Sequence, residues 1–326
     1  MPHLHWLLPG ASTSPEQLEQ ASLASTRLRA AVALSALRSV GWVVSSGELV
    51  AEQAEKLVVG KIGGDITPER TTHWLTQIAA AKVRGARIYL DYTDHHLGFE
   101  SKQSVFYRAA IGLVSDVVCS SAAMADLVGK FWSGTAAVIP DAIEIQCLPP
   151  KRLVGSPRTA LWFGDASNIG YLKQFLANAF RPDQRVRIIV LTNDAGAAQF
   201  TRPALTLPAN VRVELGPWSV ANMLAAANVS DFCLIPSDPQ DPKKAGVSAN
   251  RLITALALGL PVAADVMQAY AEYANYFVDL KSGKLPGLIT DPLKLRESVV
   301  QAQQQVIPRF SSQVLGQQWG ELFNDR

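Results

Sequence analysis

The sequence predicts an α/β protein built from two Rossmann-like domains in series, facing each other across a cleft. Three observations predict it. The chain has 326 residues, about two domains' worth at 100–200 residues each, and 48% of them are hydrophobic, enough for two cores. Short apolar runs alternate with amphipathic stretches, the rhythm of βαβ units around a mainly parallel sheet. That rhythm stops once, in QCLPPKRLVGSPR (146–158), a Pro-, Gly- and Arg-bearing segment without periodicity, and then restarts. The boundary is expected near 148–157, giving a first domain over 1–150 and a second over 151–326, with the final helix free to pack back on the first.

In the first half, MPHLHWLLPG is too briefly apolar for a leader and reads as a first strand and loop. The segment STRLRAAVALSAL (25–37) is the first long helix, with Arg27 and Arg29 expected to face solvent or, alternatively, an anionic acceptor. Strands follow at VGWVVSS (40–46), KLVVGKI (56–62), ARIYLDY (86–92) and DVVCSS (116–121), with a helix over Glu69–Val83. In the second half the strands are TALWFGD (159–165), VRIIVLTN (186–193), VRVEL (211–215), DFCLIPS (231–237) and PVAAD (261–265). Helical patterns lie at YLKQFLANAF, VANMLAAAN and 249–259.

Composition narrows the function. Lys plus Arg (30) against Asp plus Glu (28) leaves a net charge of +2, far from the basicity that phosphate-backbone binding leaves on a domain, so nucleic acid is not expected as a partner. Cys119, Cys147 and Cys233 form no CxxC pair, and two of them sit in apolar runs, which suggests a reducing compartment. No run approaches about 18 uninterrupted apolar residues. The expected location is cytoplasmic, with peripheral contact at the inner membrane face allowed.

In open parallel sheets ligands meet the carboxyl ends of strands, so the strand-end residues carry the functional reading. The most informative stretch is LIPSDPQDPKKAGVSANRLITALALGLPVAAD (234–265). A strand ends at Pro236, a polar loop with Lys243 and Lys244 follows, and a helix begins near Ser248, which is expected as its N-cap. Free amides at such a terminus favour an anion, and Asn250 and Arg251 in the first turn add donors aimed the same way. The bland alternative is a capped structural helix with a solvated arginine. In the first half, ARIYLDYTDHHLG ends a strand with Asp91, Asp94, His95 and His96. A carboxylate or imidazole there suits proton abstraction, with Asp94 first and His95 or His96 second. A metal site is the weaker alternative, and a helix-capping Asp the plain one.

The stretch LIPS followed by SANRLITALALGLPV resembles the nucleotide-binding region of GT-B glycosyltransferases of group 1, the family 4-like superfamily. KLVVGKI, KVRGARIYLDYTDHH, SDVVCSSAAMADLV, AAVIPDAIE and ALWFGDASNIGYL fit the same resemblance in the same order, from about residue 56 to 265. The resemblance implies a GT-B architecture, with an acceptor-binding first domain and a nucleotide-sugar-binding second domain. It implies transfer of a sugar from a nucleotide diphosphate sugar to a saccharide, lipid-linked or other glycan acceptor, in polysaccharide or glycoconjugate synthesis. No metal and no cofactor beyond the donor substrate are expected.

The resemblance also implies residue roles. Gly164, Asp165, Asn168, Thr192, Asn193, Trp218, Pro236, Lys244, Ser248, Asn250 and Arg251 would hold the donor, Trp218 beside the base. Asp94 and His95 would be catalytic, and Lys61 and His96 would lie on the acceptor side. Many members carry two glutamates eight residues apart around the phosphate-binding helix, and the matching positions here are Gly246 and Thr254. That departure keeps two alternatives open, a non-catalytic nucleotide-binding or scaffold protein and a sugar-nucleotide epimerase.

Overall fold

The computed structural model describes residues 1–11, 13–152, 157–202 and 207–324. The chain divides into two compact units, one of Met1–Ala142, Gln240–Ser248 and Arg309–Arg326, the other of Ile143–Pro239 and Ala249–Pro308. The sequence-predicted linker at 148–157 falls in the second unit, with its residues 153–156 outside the described set.

Unit 1 carries strands β1 (His3–Leu7), β2 (Val43–Gly47), β3 (Lys56–Val59), β4 (Arg87–Tyr92), β5 (Asp116–Cys119) and β6 (Ala137–Val138). Its helices are α1 (Pro15–Leu18), α2 (Val32–Ser39), α3 (Pro68–Val83), α4 (Lys102–Ala110) and α5 (Ala122–Val128). Unit 2 carries β7 (Arg158–Phe163), β8 (Val186–Thr192), β9 (Val211–Pro217), β10 (Phe232–Ile235), β11 (Val262–Ala264) and β12 (Val278–Asp279). Its helices are α6 (Ile169–Leu176), α7 (Asp194–Thr201), α8 (Val220–Val229), α9 (Asn250–Ala257), α10 (Leu285–Thr290) and α11 (Arg296–Gln305). The last helix, α12 (Ser312–Asn324), belongs to unit 1.

Both sheets are parallel throughout, ordered β2-β1-β3-β4-β5-β6 and β12-β11-β10-β7-β8-β9. A parallel sheet covered on both faces needs apolar residues on every side, which is why its strands read as near-continuous apolar runs. In β3 the alternation is visible within one strand. Leu57 and Val59 join Trp74, Ile78 and Phe106 on one face, while Val58 joins Leu4, Leu34, Trp319 and Phe323 on the other. Unit 2 builds its core from Trp162, Ile188, Val190 and Leu234 against Leu172, Leu176 and Leu288.

Each sheet has one switch point where connections change direction, between β1 and β3 in unit 1 and between β7 and β10 in unit 2. Ligand crevices form at the carboxyl ends of such points. Among the described residues no helix is long and apolar enough to cross a membrane.

Two local expectations are corrected. The first long helix is interrupted: Thr26–Ala31 is a π turn running into α2, a wider coil that recurs at functional positions. The helix expected over 249–259 runs from Asn250 to Ala257, with Ala249 as its N-cap and no side-chain capping bond. Ser248 is therefore not the cap. Its hydroxyl donates instead to the Asp141 carboxylate at 2.5 Å.

Candidate functional site

In unit 2 the strand ends gather most of the sequence-predicted donor residues. Gly164 follows β7, Thr192 ends β8, Trp218 follows β9 and Pro236 follows β10. The backbone of Trp218 donates to the Thr192 carbonyl at 2.9 Å, so these two close one end of the row. Asp165 and Asn193 are brought together as well, but each is engaged locally. Asp165 caps a short 3-10 turn by accepting from the Ser167 amide at 2.9 Å, and the Asn193 side-chain amide donates to its other oxygen at 2.9 Å. Burial raises the Asp165 carboxyl, and its bonds to Ser167 and Asn193 outweigh that and hold it below the usual range. Asn193 also caps α7 by accepting from the Gly196 amide at 2.8 Å.

The switch point holds Arg251. Its Nη2 donates to Asn168 Oδ1 at 3.5 Å, and its Nη1 is buried without a hydrogen-bond partner. No carboxylate lies within ion-pair distance of it among the described residues. A Cβ on Gly164 would press on the Trp162 ring at 3.1 Å and meet that same Nη1 at an ordinary contact distance of 3.5 Å, so the glycine lies directly against the guanidinium. The first backbone bond of α9 runs from the Ile253 amide to the Ala249 carbonyl, which leaves the preceding amides unused by the helix. A half-buried guanidinium with a buried, unpartnered Nη1 and no carboxylate beside it, next to a helix N-terminus, has electrostatics that favour an anion.

Position 254 is a buried threonine. Two further groups lie at the strand ends of unit 2 that the sequence reading did not single out. Asp265, just after β11, accepts from the Ser237 amide at 2.9 Å. Tyr270, 1% exposed, lies in the 3-10 segment Gln268–Tyr276, where burial pushes its hydroxyl's pKa up and the charge of Arg251 pulls against it.

Lys244, Ser248, Lys61, Asp94, His95 and His96 fall in unit 1. Asp94 pairs with Lys61, both side chains about one-third exposed. Burial raises the Asp94 carboxyl, but Lys61, then His96 and Lys244, outweigh it and hold it below the usual range. His96 stacks on Tyr107 with ring centroids 5.1 Å apart and planes 7° apart. His95 is buried, its Nδ1 3.2 Å from the Tyr92 hydroxyl and its ring against Phe99 and Phe131. Burial lowers the affinity of both imidazoles for a proton.

Arg27 and Arg29 do not face solvent. Arg27 is 8% exposed and donates to the Ala21 and Ser22 carbonyls at 2.6 and 2.9 Å. Arg29 is fully buried, bidentate on Asp91, and donates to the Ile139 carbonyl at 2.5 Å and to Asp141 at 3.3 Å. Asp141 then accepts from Ser248, so the predicted phosphate-loop serine ends a chain of bonds that starts inside the π turn.

No family model matches the sequence, and no curated protein matches it. Solved structures do. An alpha-glucosyltransferase in complex with UDP and a 13-mer DNA containing a HMU base is 10% identical, with a TM-score of 0.64 over 99% of each chain. T4 phage BGT in complex with UDP and Mn2+ is 9% identical, with a TM-score of 0.58 over 99% of each chain. TarM is 12% identical, with a TM-score of 0.61 over 82% of this chain and 54% of its own, so the chain spans about half of TarM. The chain thus has the fold of GT-B glycosyltransferases, two Rossmann-like domains. The expectation against nucleic acid rests on charge alone, since one of these neighbours holds DNA.

Proposed function

We propose that the chain is a glycosyltransferase that takes a sugar from a nucleotide diphosphate sugar and passes it to a saccharide, lipid-linked or other glycan acceptor in the cytoplasm. The observation that carries this is Arg251. Its guanidinium stands without a carboxylate at the β7–β10 switch point, against Gly164, with a buried Nη1 that has no hydrogen-bond partner. A leaving nucleoside diphosphate develops negative charge, and a fixed arginine with the amides of α9 stabilises it where it forms. UDP in the alpha-glucosyltransferase and in T4 phage BGT supports the same class of donor.

On the acceptor side Asp94 is the candidate base. It is held as a carboxylate by Lys61 and is exposed enough to meet a hydroxyl. His96 lies within its field, whereas His95 is committed to packing and to Tyr92. Gly246 and Thr254 stand where many of the group 1 enzymes that the sequence resembles carry glutamates, which favours one second reading, a protein that binds nucleotide without turning it over.

One experiment separates these. UDP, GDP and ADP are screened by calorimetry against the wild type and Arg251→Ala, followed by transfer assays on a panel of nucleotide sugars and glycans. Binding that Arg251→Ala weakens, with turnover, supports the transferase; binding without turnover supports the second reading. Affinity that Arg251→Ala leaves unchanged sinks both.

A further inference from the structure

We infer that Asp165 is a positioning residue for the diphosphate site: it locks the turn that carries Asn168 to the Arg251 guanidinium and does not itself touch the ligand. This rests on the reading of Arg251 above and goes beyond it, because a residue of the predicted donor set moves from contact to support.

The register of β7 on β8 sets the geometry. Trp162 faces Val190 and Phe163 faces Leu191, and the Gly164 amide still donates to the Leu191 carbonyl at 3.1 Å. The pairing thus runs on past the strand ends and brings Asp165 opposite Asn193. Asn193 has only one end to offer. Its Oδ1 accepts from the Gly196 amide at 2.8 Å as the cap of α7, which leaves Nδ2, a donor, for Asp165 Oδ2 at 2.9 Å. Asp165 Oδ1 accepts from the Ser167 amide at 2.9 Å, and the Asp165 carbonyl accepts from the Asn168 amide at 2.9 Å. The 3-10 turn Ala166–Asn168 is therefore capped by one residue, and that residue is pinned in turn by the end of β8.

What the turn carries is Asn168. Its Oδ1 accepts from Arg251 Nη2 at 3.5 Å, a long bond that holds only where the asparagine is already in place. On the other side of Asp165, Gly164 lies against Arg251 Nη1. Residues before and after Asp165 thus meet the guanidinium, while Asp165 forms no ion pair with it. Nor does its chemistry suit a diphosphate. A carboxylate has only acceptors, both of its oxygens are taken by donors of its own surroundings, and its charge has the sign of the ligand's. A turn fixed before the ligand arrives leaves less ordering for binding to do, and that is how such support contributes to affinity.

The test is Asp165→Ala, read by calorimetry with UDP, inorganic pyrophosphate and uridine. The sign of the change discriminates. Loss of support for Arg251 should weaken UDP and pyrophosphate by about five- to tenfold, the scale of one lost cap. A carboxylate that merely stood near the phosphates would, once removed, leave them bound more tightly. Uridine, which lacks the phosphates, should bind as before. In an Arg251→Ala background the Asp165→Ala change should have no further effect.

Three results overturn the inference: UDP affinity unchanged or tighter in Asp165→Ala, an equal loss for uridine, or losses for the two substitutions that simply multiply. If Arg251→Ala weakens UDP binding and Asp165→Ala does not, the brace falls and the donor site stands. If Arg251→Ala changes nothing, or the wild type binds neither UDP nor pyrophosphate, both fall. Should Asp165→Ala fail to fold, Asp165→Asn keeps the shape and one acceptor oxygen, and it should show a smaller loss with the same selectivity for phosphate-bearing ligands; uniform loss there, or none, overturns the claim.

Discussion

A Cβ on Gly246 would lie 3.0 Å from the Cα of Met124, and the glycine itself has a φ of +72°. Its carbonyl accepts from the Ser121 hydroxyl at 2.9 Å, so the 240–248 loop is fastened at this residue to the start of α5. The position at which the resemblance to group 1 GT-B enzymes would put a glutamate is here closed by backbone on one side and by conformation on the other. Gly246→Glu should therefore install no sugar contact. It should lower stability by about 2 to 4 kcal/mol, from a left-handed φ that disfavours a side chain and from overpacking against Met124. Chemical denaturation checks this. A variant as stable as wild type with enhanced turnover would mean that the loop relaxes to admit the side chain.

Arg29 and Asp91 make a pair of another kind, both buried, with the guanidinium also 5.3 Å from the Trp319 ring on α12. Breaking a buried pair from one side strands the other charge, at a cost of about 3 to 5 kcal/mol. Asp91→Ala should show that loss in urea, and Asp91→Leu combined with Arg29→Met should recover much of it, because the double variant removes both charges of the pair and leaves only the Ile139 carbonyl and Asp141, which still accepts from Ser248, without Arg29's bonds. A single variant that loses under about 1 kcal/mol would mean that Arg29 finds water, and the site would be wetter than its burial implies.

These residues show how far the sequence could be read. Strands such as KLVVGKI and VRIIVLTN were legible because burial on both faces leaves an unbroken apolar run. The two-residue strands β6 and β12 carry no such run. Arg29 was misplaced because helical period assigns a face only to a regular helix, and the π turn at Thr26–Ala31 rotates the side chains that follow. Ser248 had the local pattern of a cap, but its hydroxyl is used by Asp141, 107 residues away. Tyr270 had no signal at all: QAYAEYANY has the period of neither strand nor α-helix, and forms a 3-10 stretch. Arg251 is singled out by the sequence because helix starts after strand ends are where anion sites form, and the structure adds that it has no carboxylate beside it among the described residues.

Acid should destabilise unit 1 through His5. Its Nε2 lies 3.1 Å from the Gly47 carbonyl, which can only accept, so the proton sits on Nε2 and Nδ1 accepts from the Ser45 hydroxyl at 2.9 Å. Burial, assisted by His3 and opposed by the Gly47 bond, lowers the pKa from 6.5 to about 4. The folded value is the lower one, so between those limits the unfolded chain binds a proton that the native chain refuses. Stability should then fall as pH drops from 6.5 towards 4, by up to about 3 kcal/mol, and level off below. His5→Gln should flatten that part of the curve in denaturation measured across the range. An unaltered slope in His5→Gln would place the acid sensitivity elsewhere.

Transfer should persist in excess EDTA. The positive charge proposed for the leaving diphosphate is supplied by a group that no chelator removes, the Arg251 guanidinium beside the amides of α9. T4 phage BGT has the same fold and was observed with Mn2+, so fold gives no guarantee either way and the prediction rests on the arginine. If a divalent ion shared the role, removing it would slow transfer and adding it back would restore the rate. If Arg251 carries the role, EDTA should change the rate less than twofold, while Arg251→Ala should lower it by about a hundredfold, near the size of one lost electrostatic contact in a transition state. An Arg251→Ala enzyme that Mn2+ rescues to the wild-type rate would assign the charge to the metal and reduce the arginine to a spectator.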